Sequence, residues 1–111
     1  MRIIDNEKEF KEFCNEKGIR LAYLSTNTCC ACSVLKPKIE ELIKKYHNAK
    51  IIEVQADKSV DIVSQLSIFM FPAIILYIDG KEILREAKYI SVVELEKVMD
   101  RYFELYNSMF Y

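Results

Sequence analysis

Residues 19–37 read IRLAYLSTNTCCACSVLKP, and this stretch decides the fold. It begins with an apolar run from Ile19 to Ser25, continues through three cysteines, and ends in a segment whose apolar residues recur at helical spacing around Pro37. The pattern predicts a strand buried on both faces, a short loop that carries the cysteines, and a helix interrupted by a proline kink. A C-x-x-C pair in this setting is typical of thiol redox or metal chemistry.

Cys29 and Cys32 form the C-x-x-C pair. The apolar spacing predicts a helix from Cys30 to about Tyr46, with both cysteines in its first turn and backbone N–H groups converging on them. The positive end of the helix dipole stabilises negative sulfur, so the exposed first cysteine of such a pair typically has its pKa lowered from about 8.5 to roughly 3.5–7.5. The pair therefore favours disulfide exchange.

Composition and charge limit the classes of protein to consider. A chain of 111 residues, 51% of them apolar, is large enough for one globular domain over residues 1–111. The net charge of −1 and the absence of a basic cluster interleaved with aromatic residues argue against a nucleic-acid partner. No apolar run approaches the roughly 18 residues of a membrane span, so we expect no membrane association and a cytoplasmic setting. Cysteines there rarely form structural disulfides.

The remaining segments alternate between strand and helix patterns. Capping boxes begin the first and last helices, and Asp79-Gly80 between two apolar runs predicts a hairpin. The order β-α-β-α-β-α-β-β-α, with right-handed crossovers, predicts an α/β fold in which helices flank both faces of a central mixed β-sheet. The predicted strands are Arg2–Ile4, Ile19–Ser25, Lys50–Ala56, Ala73–Ile78 and Lys81–Glu86, and the other predicted helices are Asn6–Gly18, Ser59–Leu66 and the segment from Ser91 onward.

With these elements in order, the chain resembles a thioredoxin. The likeness covers nearly the whole chain and rests on the C-x-x-C pair, on Pro37 in the following helix, and on Phe71-Pro72 before the Asp79-Gly80 hairpin. It implies a thioredoxin-like fold and a thiol-disulfide oxidoreductase that needs no bound cofactor or metal. The implied partners are disulfide-containing protein substrates and a reductase that supplies reducing equivalents. A cytosolic setting favours the role of protein disulfide reductase.

The resemblance also assigns roles to individual residues. Cys29 would be the attacking thiolate, and Cys32 the buried thiol that resolves the mixed disulfide. Pro72 would follow a cis peptide bond, which is rare enough to mark a constrained turn, and would face the cysteine pair. The residues expected to form the substrate groove are Thr28, Ala31, Phe71 and Pro72.

The chain departs from the family pattern around the cysteines. Thr28 stands where family members usually have Trp, and Cys30-Ala31 replaces Gly-Pro. Tyr23 occupies the position of the buried acid that assists proton transfer at the second cysteine. Glu53 on the adjacent predicted strand is the only nearby acid that could take over this role, although a surface-facing glutamate is the favoured interpretation.

Cys30 is a possible third redox thiol. It could attack a mixed disulfide on Cys29, pair with Cys32, or act as a regulatory thiol open to oxidation or glutathionylation. It could equally fill a variable surface position. Successive helical residues are about 100° apart, so we expect its side chain to point away from Cys29 toward solvent.

A metal or iron-sulfur carrier is an alternative from another class. Cys29, Cys30 and Cys32 could supply three ligands, with Cys14 or His47 as a fourth. His47 lies at the far end of the same predicted helix, roughly 20 Å away, which excludes it within one chain. A cluster would therefore require two chains that pair their motifs. Cys14 itself lies on an apolar helix stripe and is expected to be an inert core thiol.

A further alternative is a binding module with weak redox activity, suggested by the missing acid and tryptophan. Three other features bear on partners. Lys88 stands near the position of a family glycine that opens the peptide groove, and Phe69, Met70 and Phe71 could form an apolar docking patch. The aromatic C-terminus predicts either packing onto the sheet in a monomer or a weak homodimer. Its apolar residues are Tyr102, Phe103, Tyr106, Met109, Phe110 and Tyr111.

Overall fold

The computed structural model describes the backbone of residues 1–110 and the side chains of residues 1–105. The order of elements is β-α-β-α-β-α-β-β-α, which confirms the prediction from the sequence. The strands are β1 (Arg2–Ile3), β2 (Ile19–Ser25), β3 (Ala49–Gln55), β4 (Ala73–Ile78) and β5 (Lys81–Ala87). The helices are α1 (Glu7–Asn15), α2 (Cys30–Ile43), α3 (Val60–Gln65) and α4 (Val92–Phe110).

The five strands form one mixed sheet in the order β1-β3-β2-β4-β5. The first three strands in this order are parallel, whereas β4 runs antiparallel to β2 and β5 antiparallel to β4. Every residue of β2 is buried because this strand lies at the centre of the sheet with helices over both faces. The prediction of a strand buried on both faces is confirmed.

Alternate residues of β2 point into two apolar clusters, one on each face of the sheet. Ala22 and Leu24 pack with residues of α1 and α3, whereas Leu21 and Tyr23 pack with residues of α2 and α4. This alternation follows from the two-residue repeat of a strand. The predicted central sheet with helices on both faces is therefore confirmed.

Local signals account for several of the boundaries. The side chain of Asn6 accepts a hydrogen bond from the backbone N–H of Glu9 at the start of α1. Gly18 follows α1 with a positive φ of 100°, a conformation that glycine adopts without steric cost. Its backbone N–H donates to Asp79 Oδ1 at 2.7 Å, and the Asp79 N–H donates to the Gly18 carbonyl. These bonds join the turn before β2 to the β4–β5 hairpin.

Some boundaries differ from the prediction. Helix α2 ends at Ile43 rather than near Tyr46. Tyr46 is nevertheless buried, and its hydroxyl donates to Asp100 on α4, so tertiary packing explains the apolar pattern that extended past the helix. Pro37 lies inside α2, and the kink there stays a prediction.

The C-terminal helix is described only in part. Phe103 packs edge-on against the rings of Tyr46 and His47, as expected for a helix that covers the sheet. The side chains of Tyr106, Met109, Phe110 and Tyr111, on which the dimer prediction also depends, lie outside the described residues. Within the described part of the chain, no helix has the length and apolar character that would let it cross a bilayer.

Candidate active site

The cysteine motif lies where β2 gives way to α2. Cys29 is the N-cap of α2, one residue earlier than the first-turn position predicted for it, and its Sγ accepts a hydrogen bond from the backbone N–H of Cys32 at 3.2 Å. The first N–H groups of a helix have no partner within the helix, so the N-cap sulfur receives both a donor and the positive end of the helix dipole. This environment favours negative charge on sulfur.

Cys29 and Cys32 are joined by a disulfide, with their Cα atoms 5.3 Å apart. Their surroundings differ, because Cys29 is half-buried whereas the Cys32 residue is only 4% exposed. An incoming group can therefore approach one sulfur more easily than the other.

Cys30 is exposed and free, as expected from its place in the helix. Thr28 and Ala31 are also exposed, so Cys29 is surrounded by accessible neighbours.

A groove of about 620 Å³ runs beside the motif. Ala31 of α2 and Pro72 both line it, and the Phe71–Pro72 peptide bond is cis, as the resemblance implies. Thr28 and Phe71 do not line this groove among the described residues, since Phe71 packs partly into the cluster under α1 and α3. The structure thus brings together two of the four residues expected to form the groove.

Tyr23 is fully buried beneath the motif. Its hydroxyl donates a hydrogen bond to the Cys32 carbonyl oxygen at 2.5 Å. Burial, with a smaller contribution from the charge of Glu53, raises the pKa of Tyr23 to about 12, so the hydroxyl stays protonated at neutral pH. The sequence marked this position only as a missing acid, and nothing in its local pattern indicated a bond to the Cys32 backbone.

The prediction that Glu53 faces the surface is wrong. Glu53 is 4% exposed, and its carboxylate accepts hydrogen bonds from Ser25 Oγ at 2.8 Å and from Lys36 Nζ at 2.9 Å. The reason is the strand register: β3 pairs with β2 so that Glu53 lies beside Tyr23, and Lys36 on α2 neutralises the carboxylate there. A carboxylate so enclosed needs such partners.

Glu53 and Cys32 line the same small cavity, of about 210 Å³, between the end of β2 and α2. The acid nominated from the sequence therefore faces the same cavity as the buried cysteine. The sequence signal for a buried Glu53 is Lys36, four residues after Cys32, which could pair with its carboxylate. This signal can be recognised only once the register of β3 against β2 is known.

Two other residues considered as ligands lie elsewhere. Cys14 is buried on α1, and burial raises the pKa of its thiol to about 11 although a hydrogen bond with Tyr77 acts in the opposite direction. The interpretation of Cys14 as an unreactive core thiol agrees with this environment. His47 is exposed and contacts Phe103. In the part of the chain described, no three His, Cys, Asp or Glu side chains are grouped so that they could hold a metal ion.

The thioredoxin family model matches residues 2–101, which is most of the chain. The chain belongs to the thioredoxin family. It is 28% identical over 98 residues to the thioredoxin-like protein YdfQ of Bacillus subtilis, covering 88% of both chains. It is also 28% identical over 96 residues to thioredoxin Asp f 28 of Aspergillus fumigatus, covering 86% of this chain and 88% of that relative.

Solved thioredoxin structures share the fold. Oxidized mitochondrial thioredoxin 3 of Saccharomyces cerevisiae superposes with a TM-score of 0.81 at 21% identity, covering 91% of this chain and 94% of that one. Plasmodium falciparum thioredoxin also gives a TM-score of 0.81, at 19% identity, covering 92% and 99%. The resemblance seen in the sequence is confirmed. A family member with a disulfide-bonded C-x-x-C pair at this site is a thiol-disulfide oxidoreductase.

Proposed function

We propose that this oxidoreductase is a protein disulfide reductase in which Cys29 attacks and Cys32 resolves. The observation that carries the assignment is the asymmetry of the pair: Cys29 caps α2 and is partly accessible, whereas Cys32 is buried. A thiolate is the nucleophile in disulfide exchange, and the helix N-terminus favours that form at Cys29.

Exchange proceeds in two displacements. The Cys29 thiolate attacks one sulfur of the substrate disulfide, which breaks the substrate S–S bond, forms a mixed disulfide and releases the first substrate thiolate. Cys32 then loses its proton and attacks the Cys29 sulfur, which forms the Cys29–Cys32 disulfide and releases the second substrate thiolate. Two electrons pass from the protein dithiol to the substrate, and a dithiol reductase partner returns them by the same chemistry.

Buried groups support the second displacement. Tyr23 holds the Cys32 backbone through its carbonyl oxygen, which keeps the start of α2 in place while the disulfide opens and closes. Glu53 shares a cavity with Cys32 and carries a carboxylate, so we assign it as the group that accepts the Cys32 proton, directly or through water. Lys36 keeps this carboxylate oriented.

The direction of electron flow is part of the proposal. Disulfide-containing proteins are the substrates, and the reducing cytoplasmic setting expected from the sequence favours reduction over oxidation. A redox titration of the Cys29–Cys32 pair against glutathione tests this direction. A reduction potential well below that of the glutathione pool supports a reductase, and one well above it would indicate an oxidase.

Trapping with cysteine variants tests the roles. We expect Cys32→Ser to accumulate a mixed disulfide between Cys29 and a peptide disulfide, because the attack remains and the resolution is lost. Cys29→Ser should form none, and Cys30→Ser serves as the matched control because it removes an exposed thiol from the same segment. Mass spectrometry of the trapped species identifies the linked cysteine.

Two outcomes would contradict the proposal. The first is a Cys32→Ser protein that traps no peptide while its Cys29 alkylates with an ordinary pKa near 8.5. The second is stoichiometric iron or zinc after anaerobic purification that is lost in Cys30→Ser, which would support the metal or cluster carrier instead.

A further inference from the structure

The groove beside the motif combines an apolar floor with a positively charged rim. Its apolar lining includes Ala31, Val34 and Leu35 of α2, together with Pro72 and Ile90. Lys38 of α2 and Lys88 after β5 are the charged residues that line it, and no acidic residue lines it among the described residues. Two cations therefore line a largely apolar groove that includes Ala31, the residue immediately before Cys32.

Neither lysine has a carboxylate within 4 Å in the described part of the chain, whereas Lys36, only two residues before Lys38, is paired with Glu53. Lys88 is held in place by its neighbours: its backbone N–H donates to the Pro72 carbonyl at 2.8 Å, and its ammonium lies 5.3 Å from the centre of the Tyr89 ring. The charge at the rim is thus positioned and unneutralised.

The positive charge is a local property of this groove. The whole chain has a net charge of −1, so no general attraction for acidic molecules follows from its composition. Complementary charge at a binding surface favours the matching partner and penalises the opposite one. A carboxylate on a bound peptide chain is the group whose charge complements Lys38 and Lys88.

We propose that this groove selects disulfide substrates in which an apolar residue next to the reactive cysteine is flanked by Asp or Glu. The inference rests on the proposed function and adds the substrate class: the apolar side chain enters the groove while carboxylates meet Lys38 and Lys88, and Cys29 attacks the adjacent disulfide. The selectivity is expected in the rate of the first displacement, because that step joins the peptide to Cys29.

Activated peptides measure this rate directly. Each peptide carries one cysteine as a 2-pyridyl disulfide, a neighbouring Leu, and two flanking residues that are Glu, Gln or Lys. Reduced protein in a Cys30→Ser background, which removes the competing exposed thiol, releases pyridine-2-thione on attack. Each rate is divided by that of 2-mercaptoethanol with the same peptide, which removes the intrinsic effect of peptide charge on reactivity.

We expect the Glu peptide to react about three to ten times faster than the Gln peptide, which is the size of effect expected from two exposed ion pairs. The Lys peptide should react more slowly than the Gln peptide. The double variant Lys38→Gln/Lys88→Gln should bring the Glu-to-Gln ratio close to one. Lys8→Gln/Lys11→Gln is the matched control, because it removes the same two positive charges from α1 on the other face of the sheet and should leave the ratio unchanged. Raising salt to about 1 M should shrink the ratio, since screening then acts within about 3 Å.

The outcomes separate the two proposals. Equal normalised rates for the three peptides, or a Glu-to-Gln ratio that Lys38→Gln/Lys88→Gln changes no more than Lys8→Gln/Lys11→Gln does, would overturn the substrate class while the reductase assignment stands. A Cys29→Ser protein that reacts as fast as its parent would overturn both. A second copy of the chain that occupies the groove would appear in sedimentation as a dimer whose formation slows all three peptides alike, and this too would overturn the inference.

Discussion

At the scale of single residues, the site is organised around the different surroundings of two sulfurs. Cys29 Sγ accepts a hydrogen bond from the Cys32 backbone N–H at the helix start, whereas Cys32 is buried, bonds to Tyr23 through its carbonyl oxygen and shares a cavity with Glu53. The neutral hydroxyl of Tyr23 thus bonds to the backbone of Cys32, and the negatively charged Glu53 lies on the adjacent strand β3. Tyr23 stands where the resemblance to thioredoxins places a buried acid, and the acid of this chain is Glu53 on the neighbouring strand β3.

Glu53→Gln tests whether the displaced carboxylate moves a proton. We expect the resolution of a Cys29 mixed disulfide to slow by about tenfold or more near neutral pH, because general-base assistance to Cys32 is lost. The defect should diminish as pH rises and the Cys32 thiol ionises without help. Stopped-flow measurement of product release against pH gives the profile.

Ser25→Ala is the matched control for Glu53, because it removes the hydroxyl that donates to Glu53 and leaves the carboxylate in place. It should keep the pH profile of the parent. A Glu53→Gln profile that runs parallel to the parent at every pH would assign Glu53 a structural role only.

Cys14 provides a prediction about alkaline stability. Burial raises its pKa from an ordinary 9.0 to about 11, so the unfolded thiol ionises at lower pH than the folded one. The unfolded state then binds fewer protons, and the free energy of unfolding should fall between about pH 9 and 11, by on the order of 2 kcal/mol from this thiol. Urea titrations of the oxidised protein at several pH values measure the fall.

The Cys14 contribution is isolated by comparison with Cys14→Ala. This variant should be less stable at pH 8 because of the lost packing, but its stability should fall less steeply above pH 9. The pKa of Tyr23, which lies on the opposite face of the sheet from Cys14, is raised in both proteins, so its titration cancels in the difference. Equal slopes for parent and variant would contradict the assignment.

At the scale of elements, the connection from β5 to α4 holds a non-glycine residue in a strained backbone conformation. Lys88 has a positive φ of 71°, and its N–H donates to the Pro72 carbonyl. A non-glycine residue in the left-handed region costs roughly 1–2 kcal/mol. The chain thus keeps a strained, exposed lysine in the lining of the groove.

Lys88→Gly should relieve this strain. We expect the free energy of unfolding to rise by about 0.5–1 kcal/mol, the strain relieved less the added freedom of glycine in the unfolded chain. Chemical denaturation measures the change. Lys88→Ala is the control, since it removes the charge but keeps Cβ, and a gain equal to that of glycine would show that backbone strain is not the cause.

At the scale of the whole molecule, one sheet joins two apolar clusters. The central strands β2 and β4 contribute side chains to both, with Ile75 in the cluster under α1 and α3, and Ile74 and Leu76 in the cluster under α2 and α4. Neither face can lose its packing without exposing the strands that support the other. We therefore expect the two clusters to unfold in one transition.

Ile75→Ala tests the shared core. Ile75 is fully buried, so the truncation should cost about 2–5 kcal/mol through lost contacts and a residual cavity. Far-ultraviolet circular dichroism and the near-ultraviolet tyrosine signal, which includes Tyr23 on the opposite face, should report the same midpoint. Val60→Ala is the control because Val60 is 62% exposed, and it should change stability by no more than about 0.5 kcal/mol. Separate midpoints for the two signals would contradict a single unfolding unit.

Short-range signals predicted the elements well because capping, turn and periodicity signals depend on residues close together in the chain. Ser91 Oγ accepts from the Glu94 N–H at the start of α4, and Asp79-Gly80 closes the hairpin, both as predicted. The end of α2 was predicted too late because Tyr46, which continues the apolar pattern, is buried by packing against α4 and not by belonging to the helix. The burial of Glu53 was missed because its partners, Ser25 and Lys36, come from β2 and α2, and no pattern within β3 indicates them.

The sequence by itself determined the order of elements, the position of the C-x-x-C pair between a buried strand and a helix, and the likeness to thioredoxins. Only the tertiary structure decided that Glu53 is buried against Lys36, that Tyr23 bonds to the Cys32 backbone, and that Lys38 and Lys88 line one groove. The physical reason is that strand register and helix packing bring together residues that are far apart in the chain. Secondary-structure propensity and hydrophobic periodicity depend on residues close together in the chain, so they do not predict these long-range contacts.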